Sequence, residues 1–206
     1  MAAAPALRSE GMGLAGRLLA GTRDPGQPEV LALAHGIALT WGWPLGPAGG
    51  VLGLDREASR ALLAAVFPGV GELLDELPAQ PAAAGGDRGD EFADLLGLLL
   101  AHRLRPNRDG EWLARAVAAG CLGDNHLWED LGLPSRAQLS VLLDAWFPAL
   151  VARNAYNLRW RRFFYRQLCE ATEVRLCKAP SCGVCSDYAA CFGGGTALAV
   201  IGSAAP

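Results

Sequence analysis

Compact apolar runs, broken by proline and glycine, divide this chain into segments that read as helices. Leu31–Thr40 is one such run. Arg56–Phe67 is another and stops at Pro68. Glu91–Arg103 carries leucines on several faces and ends near Pro106, and Glu111–Ala119 is short and apolar enough to be buried. Ser135–Phe147 opens on Ser-Arg-Ala-Gln, a capping-box order in which Ser135 caps and Gln138 answers. Pro148 then ends or kinks that run, because proline lacks the N–H and crowds the preceding turn. A longer helix is expected over Asn154–Glu170.

Two of these segments resemble one another. GLDREASRALLAAVFP (Gly53–Pro68) and GLPSRAQLSVLLDAWFP (Gly132–Pro148) both run loop, cap, apolar helix, aromatic, proline, with one extra residue in the second. Either a helical unit is duplicated and stacks on itself, or two amphipathic helices share a composition. Between them, Glu76–Asp90 is rich in Pro, Gly and Ala and reads as a flexible loop. The expected organisation is a flexible segment over residues 1–25, one helical domain over 26–193 and a tail over 194–206.

Composition sharpens this to an all-α reading. Alanine, leucine and glycine dominate while Val, Ile and Thr are scarce, a balance that favours helices over sheets. With 206 residues, 51% of them apolar, the chain is long enough to bury a core. A formal net charge of -3 argues against a general nucleic-acid binder. No apolar run reaches the length of a membrane span, and the N-terminus lacks the order of a signal peptide, so a cytoplasmic protein is expected. No nucleophile motif, phosphate loop or carboxylate pair points to an enzyme.

The chemistry concentrates near the C-terminus. Cys177, Cys182, Cys185 and Cys191 follow the spacing C-x4-C-x2-C-x5-C. Four thiolates this close can enclose one metal ion or a small cluster, and Pro180, Gly183 and Gly193 suit the turns required. Structural zinc sites commonly use two close pairs, whereas only Cys182 and Cys185 form one here. An iron–sulfur or mixed-metal cluster tolerates uneven gaps better and ranks first. Zinc ranks second, and unrelated thiols or disulfides third. Cys121 and Cys169 stand apart and read as small buried hydrophobes.

Ahead of the cysteines, Arg153–Lys178 holds seven basic residues against Glu170 and Glu173, leaving the rest of the chain distinctly acidic. Tyr156, Trp160, Phe163, Phe164 and Leu168 space out an apolar stripe, with Arg159, Arg162 and Arg166 along another side. Such arginines either form a solvated face or serve an anionic cluster, an oxyanion or a docking partner. Upstream, Gly123–Arg136 gathers Asp124, Asn125, His126, Glu129 and Asp130. His126 is a candidate metal ligand or a loop-fixing residue. His35 and His102 lie in apolar surroundings and rank lower.

Together HLWEDLGL, SRAQLSVLLDAWFPALVARN, NLRWRRFFYRQLCE and CKAPSCGVCSDYAACFG resemble the NifQ family of nitrogen-fixation proteins. The similarity runs from Gly123 to Gly193 and is looser at His35–Gly36 and Gly42–Trp43. It implies a metallochaperone that carries a molybdenum–iron–sulfur cluster and donates molybdenum for the iron–molybdenum cofactor of nitrogenase. It implies Cys177, Cys182, Cys185 and Cys191 as cluster ligands and molybdate as the metal source. A unit of about three irons and four sulfides needs three thiolates and leaves one corner open for molybdenum. The fourth thiolate, with His126 or a small ligand, would complete the molybdenum shell. The implied partners are the cofactor-assembly scaffold, the nitrogenase iron protein and an iron–sulfur cluster donor. On residues alone, an electron-transfer or redox-sensing protein and a zinc-stapled interaction module remain the alternatives.

Overall fold

A computed structural model describes residues 13–46, 50–76 and 87–171. The described residues are helical throughout, with no strand among them, as the scarcity of strand formers leads one to expect. The α-helices are α1 (Leu14–Ala20), α2 (Pro28–Leu39), α3 (Arg56–Val66), α4 (Asp87–His102) and α5 (Arg108–Cys121). They continue with α6 (Leu127–Asp130), α7 (Arg136–Trp146), α8 (Pro148–Arg153) and α9 (Trp160–Ala171), and a 3-10 turn covers Gly71–Glu76. The chain divides into two units, Met1–Ala155 and Tyr156–Pro206.

In the first unit α5 is the central element. It packs against α2, α4 and α6, and its side chains from Ala116 to Cys121 are buried without a break. That stretch reads Ala-Val-Ala-Ala-Gly-Cys, so the helix is small all round and neighbours come close on several sides. The closest approach is at Gly36 of α2, where an added Cβ would lie 3.2 Å from the Ala116 Cα. Glycine at that point lets the two backbones meet. Leu33 and Ile37 of α2, Leu95 and Leu99 of α4, and Leu113 and Val117 of α5 are all buried.

Helix ends follow local chemistry. The Asp55 carboxylate accepts the Ala58 N–H at 2.7 Å, the Asn107 side chain accepts the Gly110 N–H at 2.9 Å, and the Ser135 hydroxyl accepts the Gln138 N–H at 3.2 Å. Pro148 ends α7 as expected, and a further helix, α8, begins with it in the first helical position. Two expected helices are longer than their apolar cores, since α4 begins at Asp87 and α5 at Arg108. Their polar first turns carry no apolar stripe to announce them. The opposite correction applies to the last helix. It begins at Trp160 and not at Asn154, because Asn157 takes φ 51, a left-handed conformation that a helix cannot pass through.

The two look-alike segments adopt the same local form. Gly53 and Gly132 both take positive φ (69 and 64), and each is followed by a side-chain cap and a helix of 11 residues. Each helix ends on a fully buried phenylalanine, Phe67 or Phe147, whose N–H bonds four residues back at 2.7 Å. Their surroundings differ, however. α3 packs on the 3-10 turn, while α7 packs on α2, α6 and α8, so a duplicated unit does not follow from the likeness.

Within the N-terminal stretch read as flexible, α1 forms over Leu14–Ala20 and Leu18 is fully buried. Of the loop expected over Glu76–Asp90, Glu76 lies in the 3-10 turn and Asp87–Asp90 in α4, while residues 77–86 lie outside the described residues. In the second unit, Trp160, Phe163, Phe164 and Tyr165 are buried on α9. Trp160 stacks on Phe164 at 6.1 Å and meets Phe163 edge-on at 5.8 Å, both favourable ring geometries.

Candidate functional site

The four cysteines predicted as ligands, Cys177, Cys182, Cys185 and Cys191, lie outside the described residues, as does the tail over 194–206. Their fit to a cluster rests on the donor set, since four soft thiolates suit iron and molybdenum–iron–sulfur chemistry. Among the described residues, no three His, Cys, Asp or Glu side chains come together as a metal-binding group.

His126 is exposed, at the N-cap of the short helix α6. Its backbone N–H donates to the Glu129 carboxylate at 2.8 Å, the reciprocal half of a capping box. The polar knot around it is largely self-satisfied. Asp130 is buried at 8% exposure and accepts two bonds from Asn125, from the backbone N–H at 3.1 Å and the side-chain amide at 2.9 Å. Gly123 lies against the same carboxylate so closely that a Cβ there would strike it. Asp130 and Glu129 therefore shape the 123–126 turn, and the His126 ring stands outside it. The imidazole is exposed, with the Glu129 carboxylate on the residue's own backbone N–H, and it belongs to no group of three His, Cys, Asp or Glu side chains among the described residues.

The other histidines have structural tasks. The His35 Nδ1 lies 3.1 Å from the Leu31 carbonyl, and its ring fills the space beside Gly132, where a Cβ would collide with it. Sequence reasoning did not pair these residues, which stand far apart in the chain. The His102 Nδ1 bonds the Leu98 carbonyl at 2.9 Å near the end of α4.

On α9 the apolar stripe is confirmed at Trp160, Phe163 and Phe164, and Tyr165 joins it. Tyr156 does not belong to it. It precedes the helix and is 80% exposed, because the turn at Asn157 intervenes. Arg159 and Arg166 are exposed, and Arg162 is half-buried. Arg166 bonds Glu170 at 2.7 Å across one helical turn, so part of the basic face is neutralised by its own helix. Cys121 is buried on α5 as expected, whereas Cys169 is only half-buried on α9.

Comparison with known proteins extends the likeness upstream. The profile of the NifQ family matches residues 34–193, a span that begins within α2 and takes in His35–Gly36, helices α3 to α9 and all four cysteines. "Protein NifQ" of Azotobacter vinelandii is 41% identical over 157 residues, covering 69% of this chain and 77% of that protein. "Protein NifQ" of Rhodobacter capsulatus is 39% identical over 170 residues, covering 80% of this chain and 91% of that protein. A "Protein NifQ homolog" of Sinorhizobium fredii is 47% identical over 107 residues, covering 52% and 46%. No solved structure gives a significant match. The chain belongs to the NifQ family, whose general role as a molybdenum donor in nitrogen fixation is the one the sequence resemblance implied.

Proposed function

We propose that this protein holds a molybdenum–iron–sulfur cluster and donates its molybdenum for assembly of the nitrogenase iron–molybdenum cofactor. The observation that carries this reading is the family match over residues 34–193, a span that includes C-x4-C-x2-C-x5-C. Cys177, Cys182, Cys185 and Cys191 are the proposed ligands. His126, exposed at the head of α6, is the candidate for an additional ligand. The cluster is cargo. The protein binds molybdate-derived metal on an iron–sulfur precursor and hands it on, without turning over a substrate. Its proposed partners are the cofactor-assembly scaffold, the nitrogenase iron protein and an iron–sulfur cluster donor, and its proposed location is the cytoplasm. In keeping with that location, no helix among the described residues is long and apolar enough to cross a membrane.

Metal and acid-labile sulfide analysis of anaerobically purified protein tests the proposal. Molybdenum beside roughly three irons, with both lost in Cys182→Ala/Cys185→Ala, is the expected result. Iron and sulfide without molybdenum, after growth in molybdate, would indicate a redox protein. Zinc with no sulfide would indicate a structural module.

A further inference from the structure

The loop joining α4 to α5 and the first residue of α5 carry Arg103, Arg105 and Arg108 within six residues, with no acidic residue among the six. Among the described residues none of the three is in an ion pair. Two of them lie over indole rings instead: Arg105 over Trp146 at 5.7 Å and Arg108 over Trp112 at 4.7 Å. Both rings are themselves held. The Trp146 N–H donates to Glu29 at 3.0 Å, and Trp112 is buried. Leu104, just before Arg105, is 55% exposed, although its backbone N–H is fixed to the Trp146 carbonyl at 2.8 Å. Pro106 restricts the backbone next to it, and the Asn107 cap ties the loop into α5.

An exposed leucine alone is ordinary. A leucine on a hydrogen-bonded backbone, next to Arg105 on Trp146 and four residues before Arg108 on Trp112, is different. Arginine and tryptophan dominate interface hot spots, and here little conformational freedom is left to lose on binding. We propose that this loop docks an acidic face of a partner protein, with Leu104 in an apolar recess and Arg105 and Arg108 meeting carboxylates around it. Charge complementarity selects the occupant, since every charged residue from Arg103 to Arg108 is basic in a chain of net charge -3. A small oxyanion has no use for Leu104, and the two guanidinium groups are parked over different rings. A two-fold pairing of copies through this loop would set its arginines against one another.

The inference rests on the donor reading, because a donor must meet an acceptor protein. Binding of the full-length chain to the purified assembly scaffold and to the nitrogenase iron protein tests it, by calorimetry at low and moderate salt. Arg105→Glu/Arg108→Glu is expected to weaken binding by about tenfold or more and to flatten its salt dependence. Leu104→Ser is expected to weaken it while leaving the salt dependence intact. Arg23→Glu/Arg60→Glu makes the same charge change at exposed sites elsewhere and is expected to bind as the wild type does. If the wild type binds and the loop variants match it, the docking loop is wrong while the donor reading stands. If the wild type binds neither protein, the partner reading fails and the docking loop falls with it. A wild-type dimer dispersed by Leu104→Ser would overturn the proposal in favour of self-association.

Discussion

Gly132 brings several constraints to one residue. Its φ of 64 is a conformation that costs other residues about 1–2 kcal/mol, and the His35 ring occupies the space a Cβ would need. Gly132→Ala is therefore expected to destabilise the protein by about 2–3 kcal/mol, read by denaturant unfolding. In a His35→Ala background the steric part of that cost disappears and only the backbone part remains. A double-mutant cycle measures the difference as a coupling between the two positions. Simple additivity would show that the ring and the glycine do not share a space. His35 had looked like a low-ranking ligand from its apolar neighbours. Its task as a cover for Gly132 involves a residue nearly a hundred positions away, and no local pattern reports such a pairing.

Helix boundaries divide by the nature of their signals. Where a cap or proline stands at the end, as at Asp55, Ser135 and Pro148, the boundary is legible, because the orphan backbone groups are satisfied by residues within a few positions. Where a helix opens on a polar turn, as α4 and α5 do, apolar periodicity starts too late to mark it. The reverse error on α9 came from Asn157, an ordinary polar residue whose left-handed φ no periodicity reveals. Between elements, Arg17 of α1 makes a fork of two bonds, at 2.8 and 2.6 Å, to Glu76 in the 3-10 turn. The hydrogen bonds from Arg17 hold the Glu76 carboxyl below its ordinary range. A carboxyl with a lowered folded value stabilises the fold above the unfolded value of about 4.3. That contribution is lost as pH falls through the folded value. Glu76→Gln should therefore lower the melting temperature slightly at neutral pH, and the gap from wild type should close by strongly acidic pH. A gap independent of pH would mean that the ion pair contributes nothing. The exposure of both partners keeps the expected effect small.

The helical body up to Ala155 has its own core, built on the α2–α5 crossing and closed by Phe67 and Phe147. Stability and metal content should therefore separate. Cys182→Ala/Cys185→Ala is expected to lose its metal yet keep the cooperative helical unfolding transition, with a shift of no more than about 0.5 kcal/mol. A collapse of the helical signal in that variant would show that the cluster staples the whole fold, as zinc does in small domains. Composition and spacing were enough to specify an all-α protein and the main helices, and to propose a thiolate donor set. Helix propensity, caps and ligand chemistry are properties of residues close together in the chain. The meeting of Gly36 with Ala116, of His35 with Gly132, and of Arg105 and Leu104 with Trp146 depended on the packing of distant helices. Burial and close approach between remote segments are set by how whole helices cross, and a linear pattern carries no record of that.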